Sequence, residues 1–510
     1  MDEKKEKFLI FCIITIVVSF FVTLIVFCKI SAPQAGSSSD FVTDEETKEK
    51  SSYRLTLSAE PSVAGTVFGG GNYTDGDTVT LTVTTEKGYE FIGWFDGETV
   101  VGETITYRFP MPSENKYYVA RWRVCTYKVT AISDPAEGGS VSGGGSYAFG
   151  SEVTLVAAPV SGFGFVGWYE GDKKIEEETD LTYSFVLPAQ SRSVTAKYER
   201  IFTRLEERSL LFGSYPQSEV KEESVVNALN ARAGALPTVD HSGSWTSYDY
   251  YTDGSNETDF MWYKDLSFDG EKYRGVYFTS YRKRKTNDPS SGNAQSGNGY
   301  SVGTVYWFRF EPIKWRILSE REGEVFVFCD GMIDSREFNA LGGDSEFEHN
   351  GGVGYANNYA LSDIRKWLNQ PFYQTAFSDF QKALIVRSTV DNSAKSANPN
   401  DFPNRFFGGD NVYAGGEVED FVFLLSVQEV TNSDYGFSNA WSTTDPARHL
   451  NGTDYSKAQG LDQDLNSWWL RSPYSKQPQD AFCQHNDVLS DRDYVFLTYY
   501  GISPALVIRI

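Results

Sequence analysis

The stretch YRLTLSAEPSVAGTVFGGGNYTDGDTVTLTV, residues 53–83, returns as YKVTAISDPAEGGSVSGGGSYAFGSEVTLVA, residues 127–157. The match holds position by position. Pro61 corresponds to Pro135, Gly65 to Gly139, Gly71 to Gly145, Tyr73 to Tyr147, Gly88 to Gly162 and Trp94 to Trp168, all at an offset of 74. Val79, Leu81 and Val83 alternate with threonines, and Val153 and Leu155 repeat the pattern. A period of two sends one set of side chains to a buried face and the other to solvent, as a strand requires. Glycine clusters punctuate these strands as turns. Each copy is therefore expected to be a small all-β module with Trp94 or Trp168 on a strand. A core anchor is the first reading of these rings, and a ligand platform the alternative.

Outward to the N-terminus, FLIFCIITIVVSFFVTLIVFC, Phe8–Cys28, holds no charge, proline or glycine. At about 1.5 Å per residue it reaches roughly 30 Å, the hydrocarbon thickness of a bilayer. It exceeds the apolar run of a cleaved signal peptide, and no A-x-A site follows. Lys4, Lys5 and Lys7 precede the run, whereas Lys29 is the nearby cation after it. The positive-inside rule then predicts a cytoplasmic tail over 1–7, a transmembrane signal-anchor over 8–28, and everything beyond outside the cell. Residues 29–52 are small, polar and charged, and read as a flexible stalk.

The formal charge of −23 disfavours nucleic acid as a partner, since phosphate binding needs a basic footprint. It suits a soluble ectodomain. Cys12 and Cys28 lie in the apolar run, leaving Cys125, Cys329 and Cys483, whose spacing matches no zinc or CxxC pattern. A Cys329–Cys483 bridge and free thiols both remain open.

The two copies, with their Gly-rich turn, the GYEFIGW and GFGFVGW segments and a closing A-x-W/Y strand, resemble the divergent internalin-type B-repeat of bacterial surface proteins. The resemblance implies two compact β-grasp-like spacers, over 53–123 and 126–199, with no catalytic residues. From Ile201 the composition shifts. SVVNALNARA and LSDIRKWLNQPFYQTAFSDFQKALI carry helical signals, with Ser362 and Ser378 placed as N-caps and Pro371 separating two short helices. Around them lie strand signals, among them YRGVYFTSY, GTVYWFRF, IKWRILS, GEVFVFCDG, SWWLRS and ALVIRI, so 201–510 is expected to be one large α+β domain. The segment RKRKTNDPSSGNAQSGNGYS, from Arg282, reads as a long mobile hairpin loop whose Arg282–Lys285 run is either a solvated tip or a grip on anionic polymer.

FGSYPQS at Phe212, EPIKWRIL at Glu311, DIRKWLN at Asp363, FVFLLSVQEV at Phe421, WWLRSP at Trp468 and GISPAL at Gly501 together resemble an uncharacterised family of bacterial surface domains. Ser503 stands where that pattern has an arginine. The ending is also similar to the final strands of C-type-lectin-like and formylglycine-enzyme-like folds, a likeness of fold that assigns no function.

No nucleophile elbow, zincin helix, P-loop or dinucleotide fingerprint occurs, so no catalytic residue is assigned. His241, His349, His449 and His485 are scattered and read as loop or surface residues. Asp462, Asp464 and Asn466 alternate as in an EF-hand, but Ser467 and Pro473 occupy the glycine and glutamate positions. Gln477, Pro478, Asp480, Asn486 and Asp487 are similar, with altered spacing, to the calcium loop of C-type lectins. Calcium is the one cofactor these loops suggest. In SWWLRS, strand alternation puts Trp468 with Leu470 on a core face and Trp469 with Arg471 on the other. There Arg471 either lies over Trp469 in a structural cation–π contact or joins it as the floor of a binding groove. The sequence thus leads to a membrane-anchored, adhesin-like bacterial surface protein whose repeats space a binding head for a glycan, wall polymer or protein. The alternatives are a wall-acting hydrolase with paired carboxylates, and a purely structural envelope protein.

Overall fold

A computed structural model describes residues 51–175, 180–238, 242–248, 260–286, 288–340, 346–349, 352–400, 411–439 and 443–510. The expected tail, membrane span and nearly all of the stalk lie outside the described residues. Among those described, no helix is long and apolar enough to cross a membrane.

The first repeat is all β. Its larger sheet orders Gly71–Thr74, Ser52–Glu60, Lys116–Val124, Tyr89–Asp96 and Thr99–Gly102. The central pair, Ser52–Glu60 and Lys116–Val124, runs parallel. A three-stranded sheet of Val67–Phe68, Thr78–Val83 and Thr106–Pro110 makes the second layer. The alternation in TVTLTV is realised directly: Val79 and Leu81 are buried while Thr78 and Thr80 are exposed. No helix occurs among the described residues of this repeat. Trp94 is wholly buried, which makes it a core anchor and not a platform.

The repeated glycines have a steric cause. Gly69 has φ +103°, and a Cβ there would come within 2.3 Å of the Thr80 carbonyl oxygen. The Tyr73 hydroxyl donates to the Gly69 carbonyl at 2.7 Å. The second repeat rebuilds the device with Gly143 at φ +93°, a Cβ clash of 2.1 Å against Thr154, and Tyr147 donating to the Gly143 carbonyl. Its strands repeat the order of the first, and Trp168 is again wholly buried, donating to the Asp180 carbonyl.

The chain forms two compact units: the first repeat, and the second repeat together with the head. In the latter unit the Gln381 side-chain amide donates to the Ile201 carbonyl at 2.8 Å. Among the described residues the head's main sheet has nine strands, the first of them Phe202–Glu206, which pairs with Ser209–Glu219. Its path runs Thr246–Ser247, Met261–Phe268, Glu271–Phe278, Tyr306–Arg321, Glu324–Cys329, Ala505–Arg509 and Ile385–Val386, with Ser209–Glu219 pairing alongside Tyr306–Arg321. The last strand of the chain thus lies between strands from the head's beginning and middle. A second sheet of five orders Asp334–Ser335, Gly501–Ile502, Ser467–Pro473, Asp480–His485 and Val488–Tyr494.

Two sequence expectations are corrected here. The Arg282–Ser301 segment is largely built into the fold, because its polar side chains satisfy buried carbonyls. Arg282 is 4% exposed, pairs with buried Glu337 at 2.5 Å and donates to Ser335 and Gln459 carbonyls. Gln295, also buried, accepts from the Arg282 amide and donates to the Ala458 carbonyl, and Asn298 caps Lys457 and Leu461 carbonyls. Pro371 does not separate two helices. It sits inside a π turn, Leu368–Phe372, continuous with Asp363–Trp367 before it and Tyr373–Ala376 after it. The wider turn accommodates a residue that lacks an N–H and would clash in an α-helix. The break comes at Phe377, and Ser378 then caps the next helix through a capping box with Gln381. Ser362 caps as expected, accepting from the Arg365 amide.

Candidate functional site

Trp469 and Arg471 do not form a groove floor. Every residue of Ser467–Pro473 is buried, because this strand has sheet neighbours on both sides and side chains packed on both faces. Trp469 stacks on Tyr500 with centroids 4.4 Å apart and donates to the Arg336 carbonyl at 2.9 Å. Trp468 packs on Phe328 and donates to the Arg448 carbonyl. Arg471 is 2% exposed, ion-pairs with Glu429, donates to the Leu424 carbonyl at 2.6 Å, and lies over Phe423, not over Trp469. The strand register shifts between Trp469 and Pro473, so simple alternation fails there.

The same strand does position a different site at its start. Asp480–His485 pairs back on Ser467–Trp469, with His485 opposite Ser467, and turns through Asn486 and Asp487 into Val488–Tyr494. Asn486 and Asp487 have φ +47° and +65°, the two positive values that a two-residue hairpin turn of type I′ needs and that Asn and Asp tolerate. This tip meets Asn466. The Asn486 amide donates to the Asn466 carbonyl, while the Asn466 side chain donates to the Leu450 carbonyl at 2.6 Å. Asp487 faces His449, with Oδ1 3.0 Å from Nδ1. The helix Asp454–Gln459, capped by Thr453 and ended by Gly460 at φ +116°, supplies Lys457.

These elements surround a cavity of about 510 Å³. Its apolar base is Met332, Leu450, Leu461 and Leu465. Its polar lining is His449, Asn451, Lys457, Gln463, Asp464, Asn466 and Asn486. Carboxamides dominate, each offering both donors and acceptors. Such a lining can satisfy a ligand bearing several hydroxyl groups, whose own groups are donors and acceptors at once.

Two loops set apart in the sequence therefore converge: GLDQDLNSW contributes Asp464 and Asn466, and KQPQDAFCQHND contributes Asn486, with Asp487 behind His449. Sequence reasoning treated His449 as a loop residue and passed over Lys457 and Gln463. The signal available was ND between two strand-like runs, which marks a two-residue hairpin turn.

Asp462 pairs with Arg284 at 2.5 Å and accepts from the Asp464 amide. Gln477 accepts from Arg492, and Asp480 lies 3.6 Å from the same guanidinium. Among the described residues no group of three or more His, Cys, Asp or Glu side chains is placed to hold a metal. Burial pushes the Asp480 carboxyl up to about 6, with Arg492 opposing and Asp493 adding to the rise. His485 Nδ1 lies 2.7 Å from Ser467 Oγ, but that serine is wholly buried and offers no nucleophile to solvent. Cys329 and Cys483 are buried and form no disulfide, and burial pushes the Cys329 thiol up, keeping it protonated. Ser503, in the arginine position of the motif, donates to the Cys329 carbonyl at 2.8 Å.

The architecture defines a modular protein: tandem β repeats joined to a larger, mostly β head with a polar cavity at a hairpin tip. Residues 55–125 and 127–202 match the divergent InlB B-repeat domain, and residues 334–510 match a domain of unknown function, DUF6273. The chain thus carries two divergent InlB B-repeats followed by a DUF6273 domain. No curated protein matches it. The DUF6273 match covers the second sheet and the cavity except Met332, but not FGSYPQS or EPIKWRIL, which lie before it.

Proposed function

We propose that this chain is a membrane-anchored cell-surface protein whose two repeats space a C-type-lectin-like binding head from the bilayer, and that the hairpin-tip cavity takes a polyhydroxylated wall polymer or glycan. The observation that carries the reading is the cavity lining: four carboxamides, a histidine and a lysine around an apolar base. The repeats support the spacer role, since each is a closed two-layer β unit with its tryptophan buried, leaving ligand binding to the head. The hydrolase alternative needs two carboxyl groups facing one cleft. The hairpin-tip cavity has Asp464 as its single acidic lining residue. A cleft of about 580 Å³ along the second repeat and the head has Glu199 alone.

The test is binding of the purified full-length chain to wall fractions and a glycan panel. Saturable binding that falls about tenfold or more in His449→Ala and Asn486→Gly is expected, because both residues are exposed and glycine keeps the positive φ of the turn. Binding that survives both changes overturns the cavity assignment and puts the ligand elsewhere on the chain; no binding to any fraction leaves the structural-protein reading. Protease treatment of intact cells tests the topology: loss of the head with a retained N-terminal membrane fragment is expected, and a head protected until lysis would refute it.

A further inference from the structure

We infer that the head carries a second, separate binding site, a small aromatic pocket that takes a single neutral pyranose ring. The pocket holds about 160 Å³ and is lined by Tyr215, Tyr248, Tyr263, Arg274 and Trp367, with Thr246, Ser247 and Thr375 among its other residues. It is formed where the main sheet meets the helical segment bearing Trp367 and Pro371, and it shares no lining residue with the hairpin-tip cavity.

The aromatic wall is held rigid from behind. The Tyr215 hydroxyl donates to Asp334 at 2.7 Å, and the Tyr248 and Tyr455 hydroxyls are 2.9 Å apart. With those oxygens engaged in the interior, the rings themselves are what the two tyrosines contribute to the pocket. Tyr263 is half-buried, lies tilted against Tyr248 with ring centroids 4.8 Å apart, and has the Arg274 guanidinium 4.3 Å from its ring. Flat apolar rings in a concavity of this size suit the apolar face of one six-membered ring.

The polar groups decide between a sugar and a purely apolar ring. Among the described residues the hydroxyls of Thr246, Ser247 and Thr375 have no hydrogen-bond partner, and Arg274 Nη1 reaches only Tyr455 Oη at 3.5 Å. An apolar ligand would strip water from these donors and acceptors without replacing it, whereas sugar hydroxyls would satisfy them. Charge decides between neutral and ionised sugars. Arg274 is held by Asp265 through Nε at 2.7 Å and Nη2 at 2.9 Å, so its charge is already matched. No carboxylate and no other cation lines the pocket. A uronate or an amino sugar would bring an unbalanced charge into a partly desolvated space.

The experiment is saturation-transfer NMR and calorimetry on the full-length chain with the methyl glycosides of glucose, galactose and mannose, methyl glucuronide, and phenol. Saturable binding of at least one neutral glycoside is expected. It should fall about tenfold or more in Tyr263→Ala and persist in Tyr263→Phe. Thr246→Tyr fills the pocket from an exposed position on a two-residue edge strand, so it should block the glycoside without unfolding the head. Wall-fraction binding at the hairpin tip should be unchanged by Thr246→Tyr, which separates failure here from failure there. Binding of no neutral glycoside, tighter binding of the glucuronide, binding of phenol alone, or glycoside binding indifferent to Thr246→Tyr would each overturn the inference.

Discussion

Trp469→Ala tests the reassignment of the tryptophan strand most directly. The ring is wholly buried. A buried aromatic side chain removes about 150–250 Å² from water, which at about 25 cal/mol per Å² is roughly 4–6 kcal/mol before the retained Cβ is discounted. Measured Trp→Ala costs in cores run about 3–5 kcal/mol. Here the substitution also orphans the Arg336 carbonyl and removes the stack on Tyr500, so a loss of about 4–5 kcal/mol is expected. Trp468→Ala should cost about 3–5 kcal/mol by the same reasoning, since its ring packs on Phe328 and caps the Arg448 carbonyl. The chain forms two compact units, so a single melting curve would mix transitions. Hydrogen exchange resolved by peptide avoids this: peptides from 460–500 should lose protection in both variants, while peptides from 53–86 and 90–123, in the other unit, serve as the internal reference. A cost below about 1 kcal/mol for Trp469→Ala beside a severe Trp468→Ala would refute two-sided burial and restore an exposed face.

Three further outcomes are expected. A fragment of residues 334–510 should give no cooperative melt by circular dichroism while residues 201–510 do, because Ala505–Arg509 pairs along its length with Glu324–Cys329; a cooperative transition in the shorter fragment would show that the matched segment is self-sufficient. Asp480→Asn should flatten the pH dependence of stability between about 4 and 6. This carboxyl is raised above its unfolded value, so the folded state holds the proton more tightly, and its contribution is fullest below about 4 and lost as pH rises through about 6; measured on residues 201–510, a wild-type melting temperature that climbs over this window and a variant less stable than wild type at pH 8 would reverse the sign. Gly69→Ala should cost about 1–3 kcal/mol in the first repeat, from a positive φ and a Cβ within 2.3 Å of a carbonyl oxygen, and an unchanged melting temperature of residues 51–124 would show that the turn relaxes freely.

The repeats were legible because their information is local. Period-two alternation at Val79 and Leu81, and glycines at fixed offsets, describe a strand and a turn without reference to anything distant, and the structure adds only the Thr80 and Thr154 carbonyls that make Gly69 and Gly143 necessary. Helix caps were legible for the same reason, as Ser362 and Ser378 act on amides three residues on. What failed were inferences about surroundings. Ser, Asn, Gln and Gly in Arg282–Ser301 are common in mobile loops, yet the same groups are what a buried irregular segment needs to meet its carbonyls, as Gln295 and Asn298 do. Composition alone does not separate a loop bathed in water from one using its amides in place of water.

The tryptophan strand shows why the candidate site stayed hidden. Alternation divides a strand into two faces, but whether the second face is open depends on what covers it. Here the cover comes from Arg336, Phe338, Asp391 and Phe423, all distant in the chain. An arginine beside a tryptophan carries the chemistry of recognition on a surface and of a satisfied ion pair inside, and Glu429 makes it the second. The residues that do line an accessible polar cavity, Asn466 and Asn486, lie twenty positions apart and became neighbours through the pairing that sets His485 against Ser467. Hairpin register, more than residue type, is what brings a candidate site together in this head. Inserting a single glycine after Asp487 leaves His485 opposite Ser467 but breaks the two-residue turn that aims Asn486 and Asp487 at the cavity, so it should abolish wall-fraction binding while the second sheet's core peptides keep their exchange protection. Retained binding in that variant would mean that the hairpin tip is scaffold and the ligand sits elsewhere.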